Sequence, residues 1–457
     1  MRKGLRTPIA LLALCSAGFF AVDAVRAPAG AQQTPVNPNA PVAKQAPAST
    51  NQSGGPAKAP AAAGGPKQQT TAKGESVLRR PLADAPEGIP VGDFVFHAKG
   101  EADIEFDDNI YRTPTATNSD FIARIRPGAT LQSTWDEHAL DFYVQTEFAK
   151  YMQYTSEDYW AAAFGARGRY DVNEETTVNA LLEYSRAVLP RGSPGVGTTA
   201  GSASAGVIRA ATDVTYNGEP LYLRFGPRYE YRMYEGSGPS DNHHFLDLNG
   251  RVGYRISEEF SIFVDPSYQF VRYNLQPDST GFFRNSQGFD VKVGVTYDVT
   301  TTLGAEVAIG YYRRWFEDSR LLPDSGVSAR AAIYWNPTEQ LSFEIEGRRS
   351  LTEYRLAAGT TGAATASGNA VETSFSARAG YLVLDNLLID IGGTFANYDF
   401  GAIGRTDKYY GVDLGAKYFF TPNFYVGPRY YYSTRQSTDP LAGFNDNRIL
   451  LTLGARL

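Results

Sequence analysis

The chain has 457 residues, with 43 Lys and Arg against 49 Asp and Glu, and a single cysteine, Cys15. A net charge of −6 gives no support to nucleic-acid binding, and one cysteine excludes an intramolecular disulfide or a thiolate metal cluster. Past the N-terminal segment no charge-free apolar run of ~18 residues occurs; this excludes a spanning helix but not a membrane barrel, whose strands are only half apolar.

Residues 1–31 read as a secretion signal. Arg2, Lys3 and Arg6 precede an apolar stretch from Ile9 to Phe20, and Ala29-Gly30-Ala31 offers small residues for cleavage, with Val22-Asp23-Ala24 as a second choice. Leu14 is too bulky for the position before a lipidated cysteine, so Cys15 reads as filler in the signal core. Residues 32–92 are dominated by Pro, Ala, Gln, Gly and Lys. Such a stretch buries too little apolar surface to offset its ordering entropy, and a disordered periplasmic segment is expected. It also excludes the folded plug that an energy-coupled transporter needs.

From Phe94 onward the chain alternates with period two. Between Leu246 and Phe270, Leu248, Val252, Tyr254 and Ile256 share one face, and Asp247, Asn249, Arg251 and Arg255 share the other. Ser257-Glu258-Glu259 is the turn. The hairpin recurs about every 40 residues. Aromatic residues precede the short turns: Tyr170, Tyr216, Tyr254, Tyr297, Trp335, Tyr381 and Tyr418 come just before turns at Asn173-Glu174, Asn217-Gly218, Ser257-Glu258, Thr300-Thr301, Asn336-Pro337, Asp385-Asn386 and Thr421-Pro422-Asn423. These seven are the expected girdle at the membrane boundary. The opposite strand ends meet in longer, variable segments, and those at 189–205 and 357–369 are the candidates for folding inward. Short turns on one side and long loops on the other predict an all-β fold, a transmembrane antiparallel β-barrel over residues 93–457. The count is about eighteen strands, or sixteen or twenty if one hairpin is miscounted. Ile449, Leu451, Leu453, Ala455 and Leu457 carry the outward alternation to the last residue.

If the apolar face meets lipid, the other face lines a lumen. Its candidates are Arg124, Arg126, Arg167, Arg169, Arg224, Arg228, Glu230, Arg232, Asp247, Arg251, Arg255, Asp290, Glu306, Glu344, Glu346, Arg348, Arg378, Asp413, Tyr425, Arg429 and Tyr431. Neighbouring Arg and carboxylate groups are expected to pair across strands and stiffen the wall. The same charges suit hydroxyls and acids of a sugar chain, and Tyr faces suit sugar rings. In GPRYEYR (226–232) and GPRYYYS (427–433) the proline, lacking an N–H, predicts a local bulge. Tyr229, Tyr231, Tyr430 and Tyr432 then point outward. The four histidines, His97, His138, His243 and His244, join no nucleophile and carboxylate in one strand layer. No catalytic, cofactor-binding or metal-binding residue is assigned, and an enzyme is not expected.

The barrel's opening, Phe106-Asp107-Asp108-Asn109-Ile110-Tyr111-Arg112-Thr113, resembles the "YDDNVFRT" opening of a family of outer-membrane beta-barrel porins encoded beside exopolysaccharide synthesis genes. Ser119-Asp120-Phe121-Ile122, Arg126-Pro127-Gly128, Asp136-Glu137-His138-Ala139-Leu140, Ser156-Glu157-Asp158-Tyr159 and Arg191-Gly192-Ser193-Pro194 extend the resemblance. It implies a barrel in the bacterial outer membrane, surrounded by its lipid. By association it also implies export of an exopolysaccharide, with the polymer and periplasmic export components as partners. A general diffusion porin for small solutes, or a structural or adhesive surface barrel, would use the same wall.

Overall fold

The computed structural model describes residues 86–189, 191–192, 203–235, 241–277, 281–298, 302–353 and 369–457. Residues 1–85, holding the expected signal and most of the expected tail, lie outside them, as do the turn at Thr300-Thr301 and most of the loops at 189–205 and 357–369. The strands are β1 Ile89–Val91, β2 Phe94–Asp107, β3 Asp120–Ser133, β4 Ala139–Tyr151, β5 Tyr159–Asp171, β6 Thr176–Leu189, β7 Ala203–Tyr216, β8 Leu221–Phe225, β9 Arg228–Tyr234 and β10 His243–Arg255. They continue with β11 Phe260–Tyr273, β12 Ser286–Asp298, β13 Leu303–Phe316, β14 Asp324–Thr338, β15 Leu341–Glu353, β16 Asn369–Leu384, β17 Leu387–Phe400, β18 Arg405–Thr421, β19 Phe424–Ser437 and β20 Phe444–Arg456.

Apart from β8 and β9, each strand pairs antiparallel with the next, and β2 pairs with β20 from Lys99↔Arg456 to Asp107↔Arg448, which closes the sheet on itself. β8 and β9 are two pieces of one strand held between β7 and β10, and β1 is an accessory on the foot of β2. Eighteen strands therefore make the closed barrel. Unbroken barrel strands run 13 to 17 residues. At ~3.3 Å per residue and a tilt of ~40°, that is ample for an apolar band of ~25 Å.

Alternation sets the two environments. On β13 the outward Ile309 is 64% exposed, and on β10 the outward Val252 is 51% exposed against 4% for the inward Asp247. Large apolar side chains stand outward around the whole barrel, from Ile104 and Ile125 through Val293 and Val307 to Leu453. No monomer soluble in water carries such a belt. Inside, bulky rings lie flat over glycines of the facing strand: Tyr222 over Gly253, Phe263 over Gly294 and Tyr425 over Gly454, where any side chain would collide with the ring.

Three details depart from the sequence expectation. Neither Gly-Pro site is a bulge: Val214↔Phe225 and Ala211↔Arg228 keep one register across Pro227, as do Tyr418↔Val426 and Gly415↔Arg429 across Pro428. The missing N–H costs one ladder bond without inserting a residue. Asn336-Pro337 is not the turn but part of β14, whose register shifts between Trp335 and Thr338, so the chain reverses at Glu339-Gln340. Lastly Ile89–Val91, inside the stretch expected to be disordered, form β1 by pairing with Phe94–Phe96. They take the side of β2 that β20 has left free, since β20 ends at Leu457 bonded to Ala98.

Placed mid-strand on the outer face, Ile309→Arg is expected to cost ~2–4 kcal/mol of folding free energy in phospholipid vesicles, read by denaturant titration. Val252→Arg, one outward step from Tyr254 near a strand end, is expected to cost less. The reverse order would contradict the depth assigned here.

Candidate functional site

The polar face is the concave one, because its ion pairs skip strands. Arg251 on β10 donates to Asp265 of β11 (Nε–Oδ1 2.6 Å) and to Glu306 of β13 (Nη1–Oε2 2.8 Å). Arg330 on β14 reaches the same Glu306, and Asp265 at 3.1 Å. Two strands separate β10 from β13, and side chains span that gap only across the inside of the curve. A second four-charge cluster joins Arg378 of β16 and Arg429 of β19 to Asp390 and Asp413 of the strands between. Arg378 bonds Asp390 at 2.8 Å and Asp413 at 3.0 Å; Arg429 bonds Asp390 at 2.6 Å and also holds Asp413.

The other candidates sit in the same kind of contact. Arg124 pairs with Glu105 at 2.8 Å, and Arg126 with Glu101 at 2.9 Å and with Asp103. Arg167 meets Asp141 at 3.3 Å, Arg169 donates to Asp171 at 3.1 Å, and Arg224 pairs with Asp213. Glu230 accepts Nε of Arg209 at 3.1 Å and Nε of Arg232 at 3.0 Å. Arg228 stands 4.0 Å from Asp247, which itself accepts from Ser267 (2.5 Å) and Asn249 (2.8 Å). Arg255 donates to the carbonyl of Gly218 at 2.6 Å and lies over the Tyr222 ring. Asp290 takes Lys292 and the Ser328 hydroxyl (2.6 Å), Glu346 takes the Tyr334 hydroxyl (2.8 Å), and Arg348 donates to Ser350 at 3.0 Å. Glu344 is register-paired with Arg378.

Two tyrosines expected to offer their faces do not. Tyr425 is 6% exposed, donates its hydroxyl to Glu101 and covers Gly454; Tyr431 is 2% exposed, with Arg429 and Arg448 near its ring. The seven girdle aromatics, Tyr170, Tyr216, Tyr254, Tyr297, Trp335, Tyr381 and Tyr418, are all exposed on the outer side. Sequence reasoning missed Arg209 and the run Glu101, Asp103, Glu105, Asp107, although the same alternation places them inward.

Four of the motifs that carried the family resemblance, at 106–113, 119–122, 156–159 and 191–192, meet at the long-loop end of the barrel, whereas Asp136–Leu140 lies at the short turn between β3 and β4 and Arg126–Gly128 within β3. Arg112, in the left-handed region at φ 56°, returns its guanidinium to Asp107 through two 2.9 Å bonds and reaches Asp446 of β20 at 3.0 Å. Asp108 accepts the backbone and side-chain N–H of Asn447 at 2.7 Å each, and Asn109 donates to the carbonyls of Asn445 and Thr113. The carboxylates of Asp107, Asp108 and Asp446 crowd together, and Arg112 supplies the positive charge among them. Asp120 accepts the amides of Gln153 and Tyr154, both at 3.0 Å, and Asp158 holds the adjoining turn. The Lys150 ammonium and the Tyr151 amide keep the Asp158 carboxyl below its usual range.

Arg191 and Gly192 follow β6, yet they touch the far side of this cluster. Arg191 grips Glu157 with two bonds (2.9 and 2.7 Å) and lies 4.7 Å over the Tyr111 ring. Arg435 of β19 donates to the Gly192 carbonyl at 2.8 Å. Gly192 has φ 78°, and a side chain there would press on Arg112 and Phe444. β6 and β19 are six steps apart around the barrel, so these residues cross part of the mouth. Beneath lies a buried apolar cluster that includes Tyr398, Phe400, Tyr409 and Phe444. Alternation could not reveal the Arg191–Glu157 tie, because both residues lie outside strands; the motifs holding them were its signal.

A family model described as "Putative beta-barrel porin 2" matches residues 81–457. No curated protein matches. Among solved structures, Pseudomonas aeruginosa OpdK with vanillate is 10% identical at TM-score 0.45, over 79% of this chain and 99% of its own. Pseudomonas aeruginosa OpdQ is 13% identical at TM-score 0.44, over 80% and 99%. The FrpB iron transporter of Neisseria meningitidis is 10% identical at 0.41, over 83% of each.

Arg191→Ala removes the Arg191–Glu157 pair that anchors this crossing segment and is expected to raise single-channel conductance in planar bilayers while leaving thermal unfolding nearly unchanged. An unaltered conductance would show that the tie does not narrow the passage.

Proposed function

This chain belongs to the family described as putative beta-barrel porin 2, and from that premise we propose that it is a passive channel for small polar solutes. Its place is the outer membrane of a Gram-negative bacterium. The observation that carries the reading is an internal cavity of about 310 Å³. It is lined by charged, amide and hydroxyl groups on the β8–β15 side of the barrel. The opposite side of the mouth is occupied by Arg191-Gly192 and the apolar cluster below them, so the cavity side is the natural course for a solute. Of the charged residues predicted from alternation, Arg224, Arg228, Asp247, Arg251, Asp290 and Arg348 line that course, and the outward aromatics are its membrane girdle.

A wall built this way does two things. Paired charges at short range hold long side chains in fixed positions, so the passage keeps its shape. Left partly hydrated, they also replace some of a polar solute's water as it passes. Sugar-ring stacking on Tyr425 and Tyr431 draws no support, because both rings are buried. That favours small solutes over a threaded polysaccharide.

Proteoliposome swelling tests the reading. Purified protein is expected to admit monosaccharide-sized solutes, with rates falling steeply from mono- to trisaccharide. No swelling with any solute would overturn it. Loss of extracellular polysaccharide from a deletion strain, with no change in small-solute uptake, would favour polymer export instead.

A further inference from the structure

We propose that the cavity is a binding site for a small hydroxylated carboxylate of the sugar-acid class, with Arg224, Arg228 and Arg348 as its anion-holding face. The proposal rests on the channel reading and names what that channel prefers.

Charge balance inside the cavity is the first observation. The chain as a whole has more acids than bases, yet the cavity lining has nine Arg and Lys against three Asp. Arg313 and Arg349 fall on the outward alternation, which leaves seven inward cations against those three and the adjoining Glu306. Rings and walls of one sign set the selectivity of a pore.

Convergence is the second. Arg224 is the penultimate residue of β8 and Arg228 begins β9, and the unshifted register across Gly226-Pro227 keeps both on the inner face. Between them stands Gly226, which puts no side chain into the space. Arg348 arrives from β15, far around the barrel, and lines the same cavity as Arg224 and Arg228. The acids nearby are engaged on the wall: Asp213 with Arg224, and Asp247 with Ser267 and Asn249, 4.0 Å from Arg228. Three guanidinium groups brought to one cavity, two from the broken β8–β9 strand and one from β15, are a setting that suits an anion.

Chemistry and size narrow the ligand. The guanidinium fork matches a carboxylate through two parallel bonds. Ser267, Gln269 and Ser350 line the same cavity and offer partners for hydroxyl groups. A volume of about 310 Å³ is at the small end for ligand sites, which suits one sugar acid and not an oligomer.

The test is a planar bilayer holding the full-length protein under a KCl gradient, with D-glucuronate, D-glucose and inorganic phosphate added in turn. The wild type is expected to be anion-selective by its reversal potential and to be blocked by glucuronate but not by glucose. Arg228→Gln and Arg348→Gln should each weaken that block roughly tenfold and move the reversal potential toward cations. Arg348→Lys should keep the selectivity and weaken the block, and it carries the comparison if a glutamine variant does not insert. A conducting wild type without anion preference, block by glucose as strong as by glucuronate, block by phosphate alone, or undiminished block in the variants would each overturn the site and leave the channel standing. Absence of any conductance would overturn both.

Discussion

No water reaches a backbone amide in the middle of a bilayer, so the hydrogen-bond ladder of a spanning sheet must close. Here closure depends on the seam between β2 and β20, nine register pairs from Lys99↔Arg456 to Asp107↔Arg448. At the lower end Ala98 and Leu457 exchange backbone bonds, and β1 continues the pairing along β2. At the upper end Asp108, Asn109 and Arg112 fasten the first long loop to Asn445, Asp446 and Asn447. The motif that opens the barrel is thus the fastening of its last strand to its first, β20 to β2. Its acids and amides need no catalytic or metal role to explain their pattern.

Once the ladder is closed, one alternation decides both surfaces. Lipid takes the apolar face, and most of the charged side chains go inside, where burial beside a low-dielectric wall makes unpaired ions costly. The strand-skipping clusters around Asp265 with Glu306, and around Asp390 with Asp413, answer that cost while keeping the interior polar. The pairing is uneven. β2 presents Glu101, Asp103, Glu105 and Asp107 on its inner face, whereas Arg224, Arg228 and Arg348 gather on the β8–β15 side. A solute on the cavity side meets the basic half of that contrast.

Much of this was legible in the sequence because a barrel obeys one period from end to end. Leu248, Val252 and Tyr254 against Asp247, Arg251 and Arg255 need only the pleat to be sorted. Turn positions were less legible. Asn336-Pro337 has turn chemistry, yet pairing resumes at Thr338↔Leu341 and carries the strand past it. The two Gly-Pro sites misled for a related reason: a proline's missing N–H predicts a lost bond, but register depends on neighbours that both sides retain. The fate of Tyr425 and Tyr431 depended on what faced them, Gly454 and Arg448 of β20, which one strand's pattern does not contain. The Arg191–Glu157 tie joins the β4–β5 and β6–β7 connections, where strand alternation has nothing to say.

The most direct test of the account is cysteine scanning along β10, in a chain whose sole native cysteine, Cys15, is replaced by alanine. Single cysteines at Asn249, Arg251 and Arg255 should react with a membrane-impermeant thiol reagent in folded protein. Those at Leu248, Val252 and Tyr254 should instead give the blue-shifted emission of a fluorophore placed in lipid. Alternation in that phase is the result predicted. Equal labelling of both sets, or the opposite phase, would contradict the claim that one face of every strand meets lipid and the other a polar interior.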